Sequence, residues 1–420
     1  MTDAPANDNH GWQVLANLVA ATARSRFRGS VAGVRGQDHG LTVRRFSPRY
    51  QFNDFRYYYA WSLEYRAGEL PWRPVLAPGY LPVGRTRTLA CNYTPFFVES
   101  TSWLAYFPQE TAHYVWEYFQ VGCLALAIAL LARGFEPPLG PAATIALISG
   151  ALFSQSFRIL LFYGQVAPML LLGLAGAWLA IKRRNPPVAG FCLAIVTLLK
   201  LYPGILGGYL LLRRKWRELG WMAAFLALGL FASGLKSWLA FARYSPAFSI
   251  RAMENFHRPL AIKYRASLLE FSYIAASWLT QRAAPPVLVI ALVSVISGAA
   301  ALAVLLWATW RAGESETNAE GLVFALWIAA EVIFSPLSWV HEFPLLIPAY
   351  MFAAAIAYRA VREGARDRLA LAVGVLMLAV CIVPELVHQL PLLRPPYLVP
   401  IFALIGGALM LEARPMRVAS

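Results

Sequence analysis

Charge is scarce in this chain of 420 residues, and acid is scarcer still. Asp, Glu, Lys and Arg make up 14% of it while 59% is hydrophobic, against roughly 25% and 45–50% in an ordinary soluble domain. The aspartates are Asp3, Asp8, Asp38, Asp54 and Asp367, and no DxD, DE or DD pair occurs. The usual carboxylate grip on a metal-bound diphosphate is therefore missing, and neither a metal nor a cofactor is expected. A P-loop, a GxGxxG after a strand and a GxSxG elbow are absent too, which weakens nucleotide-dependent and serine-hydrolase readings. Cysteine is equally thin. Cys91, Cys123, Cys192 and Cys381 include no CxxC and no Cys/His cluster, so a structural zinc or a disulfide framework does not fit.

What the chain has in abundance is long apolar runs. Segments of roughly 18–25 residues recur along it, the length needed to cross a hydrocarbon core about 30 Å thick. They fall at 114–132, 140–162, 166–181, 187–212, 218–234, 286–310, 321–337, 343–358, 369–388 and 396–412. This predicts an all-α, polytopic transmembrane protein with about ten membrane segments, and a lipid bilayer as its partner. The formal net charge of +15 agrees. Basic residues sit at the ends of apolar segments, where the positive-inside rule accounts for them, rather than in a patch that would take nucleic acid.

The same charges orient the chain. Basic ends occur at Arg133, 182–184, 213–217, Arg311, 359–368, and Arg414 with Arg417. If all are cytoplasmic, as the bias predicts for an inner membrane, most segments thread consistently. Segment 187–212 has basic clusters on both sides, so it is read as a helical hairpin. Its turn is placed at 200–203, where Pro203 cannot donate a helix hydrogen bond. The outer face then collects 54–112, 163–165, the 200–203 turn, 235–285, 335–342 and 385–394. Three regions follow: a basic segment 1–53, an external loop 54–112 and a membrane-embedded domain 113–420. Residues 1–53 contain no apolar run of about 20 residues, and 24–49 carries seven arginines, which resist translocation. An outward Asp54 therefore carries the expectation that a first membrane helix is missing from the chain as given.

Polar residues beside apolar sequence are the candidate site. Asp54 opens NDFRYYYAW (53–61), and a carboxylate against apolar surface can have a raised pKa and act as a base. The alternative is an Asp that merely caps the helix FRYYYAWSLEY. Lys200 lies in VTLLKLYPG (196–204); a lysine at membrane depth usually faces a cavity, where its ammonium suits a phosphate, unless it snorkels to the interface. His341 and Trp339 share a Pro-bounded break with Ser338 and Glu342 in FSPLSWVHEFP (334–344). Irregular backbone at that depth survives only where protein or a water-filled cavity satisfies it. Arg158 and Gln165 flank a short apolar piece; Gln165 could meet sugar hydroxyls or cap a helix. Glu331 is a weaker candidate, and His257 and Arg258 fit a solvated loop.

Four stretches, in order, resemble glycosyltransferase family 87: NDFRYYYAW (53–61), CNYTPFF (91–97), YGQVAPMLLLGL (163–174) with a basic turn and AGFCLAIVTLLKLYPG (189–204), and SPLSWVHEFPLLIP (335–348). The likeness runs over about residues 52–360. It implies a GT-C-type membrane enzyme with a polyprenyl-phosphate sugar donor, often mannose, and a lipid or glycan acceptor at the outer leaflet. It also implies a catalytic aspartate in the first external loop, matched by Asp54. Gln165, Lys200 and His341 match further motif positions. The reading is inverting transfer with Asp54 as base, Lys200 with Arg158 against the leaving phosphate, and His341 and Trp339 lining the donor pocket. Two rivals remain: a surface-polysaccharide polymerase or ligase, and a lipid-linked sugar transporter.

Overall fold

A computed structural model describes residues 54–72, 91, 93–255, 268–281, 285–312, 317–335, 340–362 and 404–408. The 1–53 segment, the predicted span 369–388, His257, Arg258 and Trp339 lie outside them, and so does most of 396–412. The described residues are all-helical, with no strand among them.

Two short helices, α1 (Phe55–Arg66) and α2 (Pro95–Thr101), precede the long α3 (Gln109–Arg133). Then come α4 (Pro141–Phe153), α5 (Gln155–Tyr163), α6 (Ala167–Lys182), α7 (Pro186–Leu199), α8 (Leu206–Leu212) and α9 (Trp216–Ala232). The chain continues through α10 (Leu235–Asn255), α11 (Leu268–Thr280), α12 (Val287–Arg311), α13 (Thr317–Phe334) and α14 (Ile347–Arg362). Gln109–Arg133 and Leu288–Arg311 are long and apolar enough to cross a membrane alone, and up to four spans result if two bent helix pairs each count as one. Among the described residues the other predicted segments are shorter or broken. Segment 140–162 is two helices meeting at 59°, because Ser154 turns extended and accepts the Phe157 N–H as the cap of α5. Part of 235–285, predicted as loop, is helical: α10 leaves α9 at 97°.

Helix directions follow from which residues touch. Trp116 on α3 donates to Gly164 O (2.7 Å) just before α6, and Lys182 at the end of α6 donates to Phe135 O (2.9 Å) just after α3. These two helices are parallel. On α6, Gly173 meets Val196 and Gly176 meets Cys192, so α7 runs antiparallel to it. Gly190 near the start of α7 packs on Trp221 and Met222 near the start of α9, and Leu198 near its end packs on Gly229. Small residues at these crossings let the backbones approach closely, the general device of helix packing in lipid.

The parallel run of α7 and α9 settles what lies between them. Helix α7 stops at Leu199, Lys200 is extended (φ −145, ψ 133), and a 3-10 turn Tyr202–Ile205 leads into α8. Because α9 begins again beside the start of α7, α8 must travel back, and the hairpin expected at 187–212 is present with its break at Lys200. Farther on, Gly298 touches Phe334 while Trp327 donates to Thr309 Oγ1 (2.9 Å), which makes α12 and α13 antiparallel.

The bundle therefore has two unlike ends. Arg133, Lys182, Arg183, Arg184, the 213–217 cluster and Arg311 share one of them, where Lys215 pairs with Glu320 at 2.8 Å. The other end is capped by α1, α2 and the 3-10 turn Ser102–Tyr106, with Asp54 N bonded to Tyr163 O (2.9 Å). The positive-inside bias predicts that the basic end is cytoplasmic. Cysteines introduced singly at two exposed positions, Ser100 and Arg214, test this in a background without the native ones. A membrane-impermeant maleimide is expected to label Ser100→Cys in intact cells and Arg214→Cys only after permeabilisation; the reverse would invert the orientation.

Candidate active site

Asp54, Gln165 and Lys200 converge on the capped end, but not as isolated side chains. Asp54 stands at the start of α1, half-buried, and makes no capping hydrogen bond with its side chain. Its Oδ2 instead accepts from Gln165 Nε2. The helix-capping alternative thus fails on geometry.

Gln165 is placed by its backbone. Gly164 ends α5 in the left-handed region (φ 70), where glycine is the residue that meets no steric penalty. Gly164 O is taken by Trp116 and Gln165 N donates to Leu160 O (3.1 Å). The side chain is buried between two partners, since its Oε1 accepts from Tyr93 OH (3.3 Å). The Tyr93 and Tyr58 hydroxyls are 2.7 Å apart.

The surroundings of Asp54 push its carboxyl above the ordinary aspartate range, to about 6. Withdrawal from water is the main cause and raises it; the Lys200 charge, the Gln165 hydrogen bond and the Arg56 charge each pull it partly back. At neutral pH the group is mostly ionised yet basic enough to take a proton.

Lys200 lies 5.4 Å from the Tyr93 ring centroid and 5.0 Å from that of Tyr202. Its ammonium is already engaged by Glu342 Oε1 at 2.8 Å, which also accepts from Tyr202 OH (2.9 Å). Lys200 and Glu342 are 15% and 2% exposed, a buried pair in which each charge depends on the other. Glu331 lies close enough for the fields of both to act on it. It is buried, and among the described residues neither of its oxygens has a hydrogen-bond partner. The backbone of His341 falls in the same 3-10 turn as Glu342, Val340–Leu346. Arg158 is exposed on α5.

Sequence reasoning missed three participants. Tyr93 and Tyr58 sit in quoted aromatic stretches that read equally well as packing. Arg56 is buried, acts on Asp54 from two residues away and donates to Tyr57 OH (2.5 Å); an arginine inside NDFRYYYAW was the available signal.

A family model described as glycosyltransferase family 87 matches residues 92–336, more than half of the chain. The match includes Tyr93, Gln165, Lys200 and Glu331 and begins after Asp54. No curated protein and no solved structure is matched by the chain.

The buried pair yields a prediction. Lys200→Met should destabilise the protein by about 3 kcal/mol because it strands the Glu342 carboxylate. Adding Glu342→Gln should recover most of the loss, as read by thermal unfolding in detergent. Single and double variants of equal stability would show that the pair does not hold the two breaks together.

Proposed function

This chain belongs to glycosyltransferase family 87, and on that premise we propose that it moves a hexose from a polyprenyl-phosphate donor to a lipid or glycan acceptor. The carrying observation is Asp54: a carboxylate half withdrawn from water, oriented by Gln165, with its pKa raised to about 6. It lies at the end of the bundle opposite the basic clusters, so the reaction is assigned to the outer leaflet of the inner membrane.

Asp54 takes the proton of the acceptor hydroxyl as that oxygen attacks the anomeric carbon. Attack comes from the face opposite the phosphate. The new carbon–oxygen bond forms as the bond to the phosphate breaks, and the electron pair leaves on polyprenyl phosphate, so the sugar is inverted. A positioned base contributes roughly 10²–10⁴-fold to such a step. Charge on the leaving phosphate is met by the cation of Lys200, which already acts on Asp54. Fixed charge placed where charge develops is commonly a large contribution to catalysis. Arg158 is assigned to the same phosphate from the rim, and the resemblance adds Trp339 and His341 on the donor side.

Two outcomes test the proposal. With radiolabelled polyprenyl-phosphate mannose as donor, Asp54→Asn should lose transfer while inserting into membranes like wild type; turnover above a tenth of wild type would remove Asp54 as the base. The pH profile has a fixed sign. Asp54 must be ionised, so kcat/KM should fall below about pH 6, approaching tenfold per unit, and a profile flat down to pH 4.5 would contradict the assignment.

A further inference from the structure

Gln165 reaches Asp54 with an amide whose two ends are nearly the same shape, one a donor and the other an acceptor. Its backbone is fixed on both sides, by Gly164 and by the Leu160 carbonyl, so the remaining freedom is which way the amide faces. Presented as N–H, it stabilises the carboxylate; presented as oxygen, it favours the protonated acid. Something has to choose.

Resting on the reading of Asp54 as the base, we propose that Tyr93 is a positioning residue that makes this choice by donating its hydroxyl hydrogen to Gln165 Oε1, which turns Nε2 towards Asp54. Tyr93 has one hydrogen to give. Since it goes to Gln165 (3.3 Å), the 2.7 Å contact with Tyr58 is donation by Tyr58. The order is Tyr58 to Tyr93 to Gln165 to Asp54, each hydroxyl or amide donating onward to the carboxylate.

Tyr93 is held for this task. Its ring packs edge-on to Tyr58 (5.0 Å) and lies 4.4 Å from the Phe97 ring, while its carbonyl accepts from Trp72 Nε1 (2.8 Å). The Lys200 ammonium lies 5.4 Å from its ring centroid, and a nearby cation draws charge from a phenol and strengthens it as a donor. The chain thus couples the two halves of the site.

Other groups bear on Asp54 but do not orient the amide. Lys200 and Arg56 lower its pKa by charge, and Tyr57 and Tyr58 from α1 and Tyr93 beside α2 lie within its field. From α3, His113 packs on the Phe55 ring at 4.9 Å.

The test needs no substrate. The chain has only the five aspartates named above, so carboxyl-¹³C aspartate in the detergent-solubilised full chain gives few signals, and Asp54→Asn identifies the one at issue. The wild-type signal should titrate near pH 6. Tyr93→Phe should move that midpoint up by about one pH unit, whereas Tyr58→Phe, which leaves the Tyr93 hydroxyl in place, should move it by less than about 0.3. If Tyr93→Phe does not accumulate, Gln165→Met carries the test and should also raise the midpoint. An unmoved midpoint in Tyr93→Phe, or in Gln165→Met where that variant is used, overturns the inference. An equal shift in Tyr58→Phe does so too, as does a wild-type midpoint below about 4.5. Failure of Asp54 as the base is a separate result, since it is read from transfer by Asp54→Asn.

Discussion

The pair between Lys200 and Glu342 holds the site together. Each belongs to a place where a helix gives way: Lys200 follows the end of α7, and Glu342 lies in the 3-10 turn before α14. Neither charge is tolerable alone in so apolar an interior, so the two breaks are drawn to one point although 142 residues separate them. Backbone freed from helix bonds in an apolar interior has to be satisfied by protein or water, and the cap formed by α1 and α2 covers it. Thr94, at the start of α2, donates to the carbonyls of Leu198 and Leu199 at the end of α7, tying cap to hairpin.

From that point the electrostatics of the reaction follow. Lys200 acts on Asp54 without touching it, and the cap withdraws Asp54 from water without burying it outright. The two effects oppose each other and leave a carboxylate near pH 6, where a base serves best close to physiological pH. The same cation serves the leaving group in the proposed mechanism. In the proposed mechanism one lysine, one carboxylate and the phenol between them supply both a base and a counter-charge from the protein's own side chains.

Much of this was legible in the sequence, for reasons that can be named. The 114–132 run became the core of α3 because length and hydropathy alone decide such a segment. The hairpin was legible because a span cannot carry basic clusters at both ends and still obey the charge bias, and the break at Lys200 and Pro203 is where the chain turns. The bend inside segment 140–162 was not legible, since a serine that caps a new helix looks like any small residue in an apolar run. The 235–255 stretch was read as loop because its charges hid an amphipathic helix that lies across the bundle end. Asp54, Gln165 and Lys200 could be named one at a time. Their links could not: Tyr93 and Gln165 are 72 residues apart, Gln165 and Asp54 111, and no local pattern records which amide faces which carboxylate.

The central claim is a single displacement assisted by Asp54, and the configuration of the product tests it most directly. Transfer from a polyprenyl-phosphate mannose of known anomeric configuration, followed by measurement of the one-bond carbon–hydrogen coupling at C1 of the product, reads the outcome. The account predicts inversion relative to the donor. Retention would require a covalent intermediate or an attack from the phosphate side, and would contradict it.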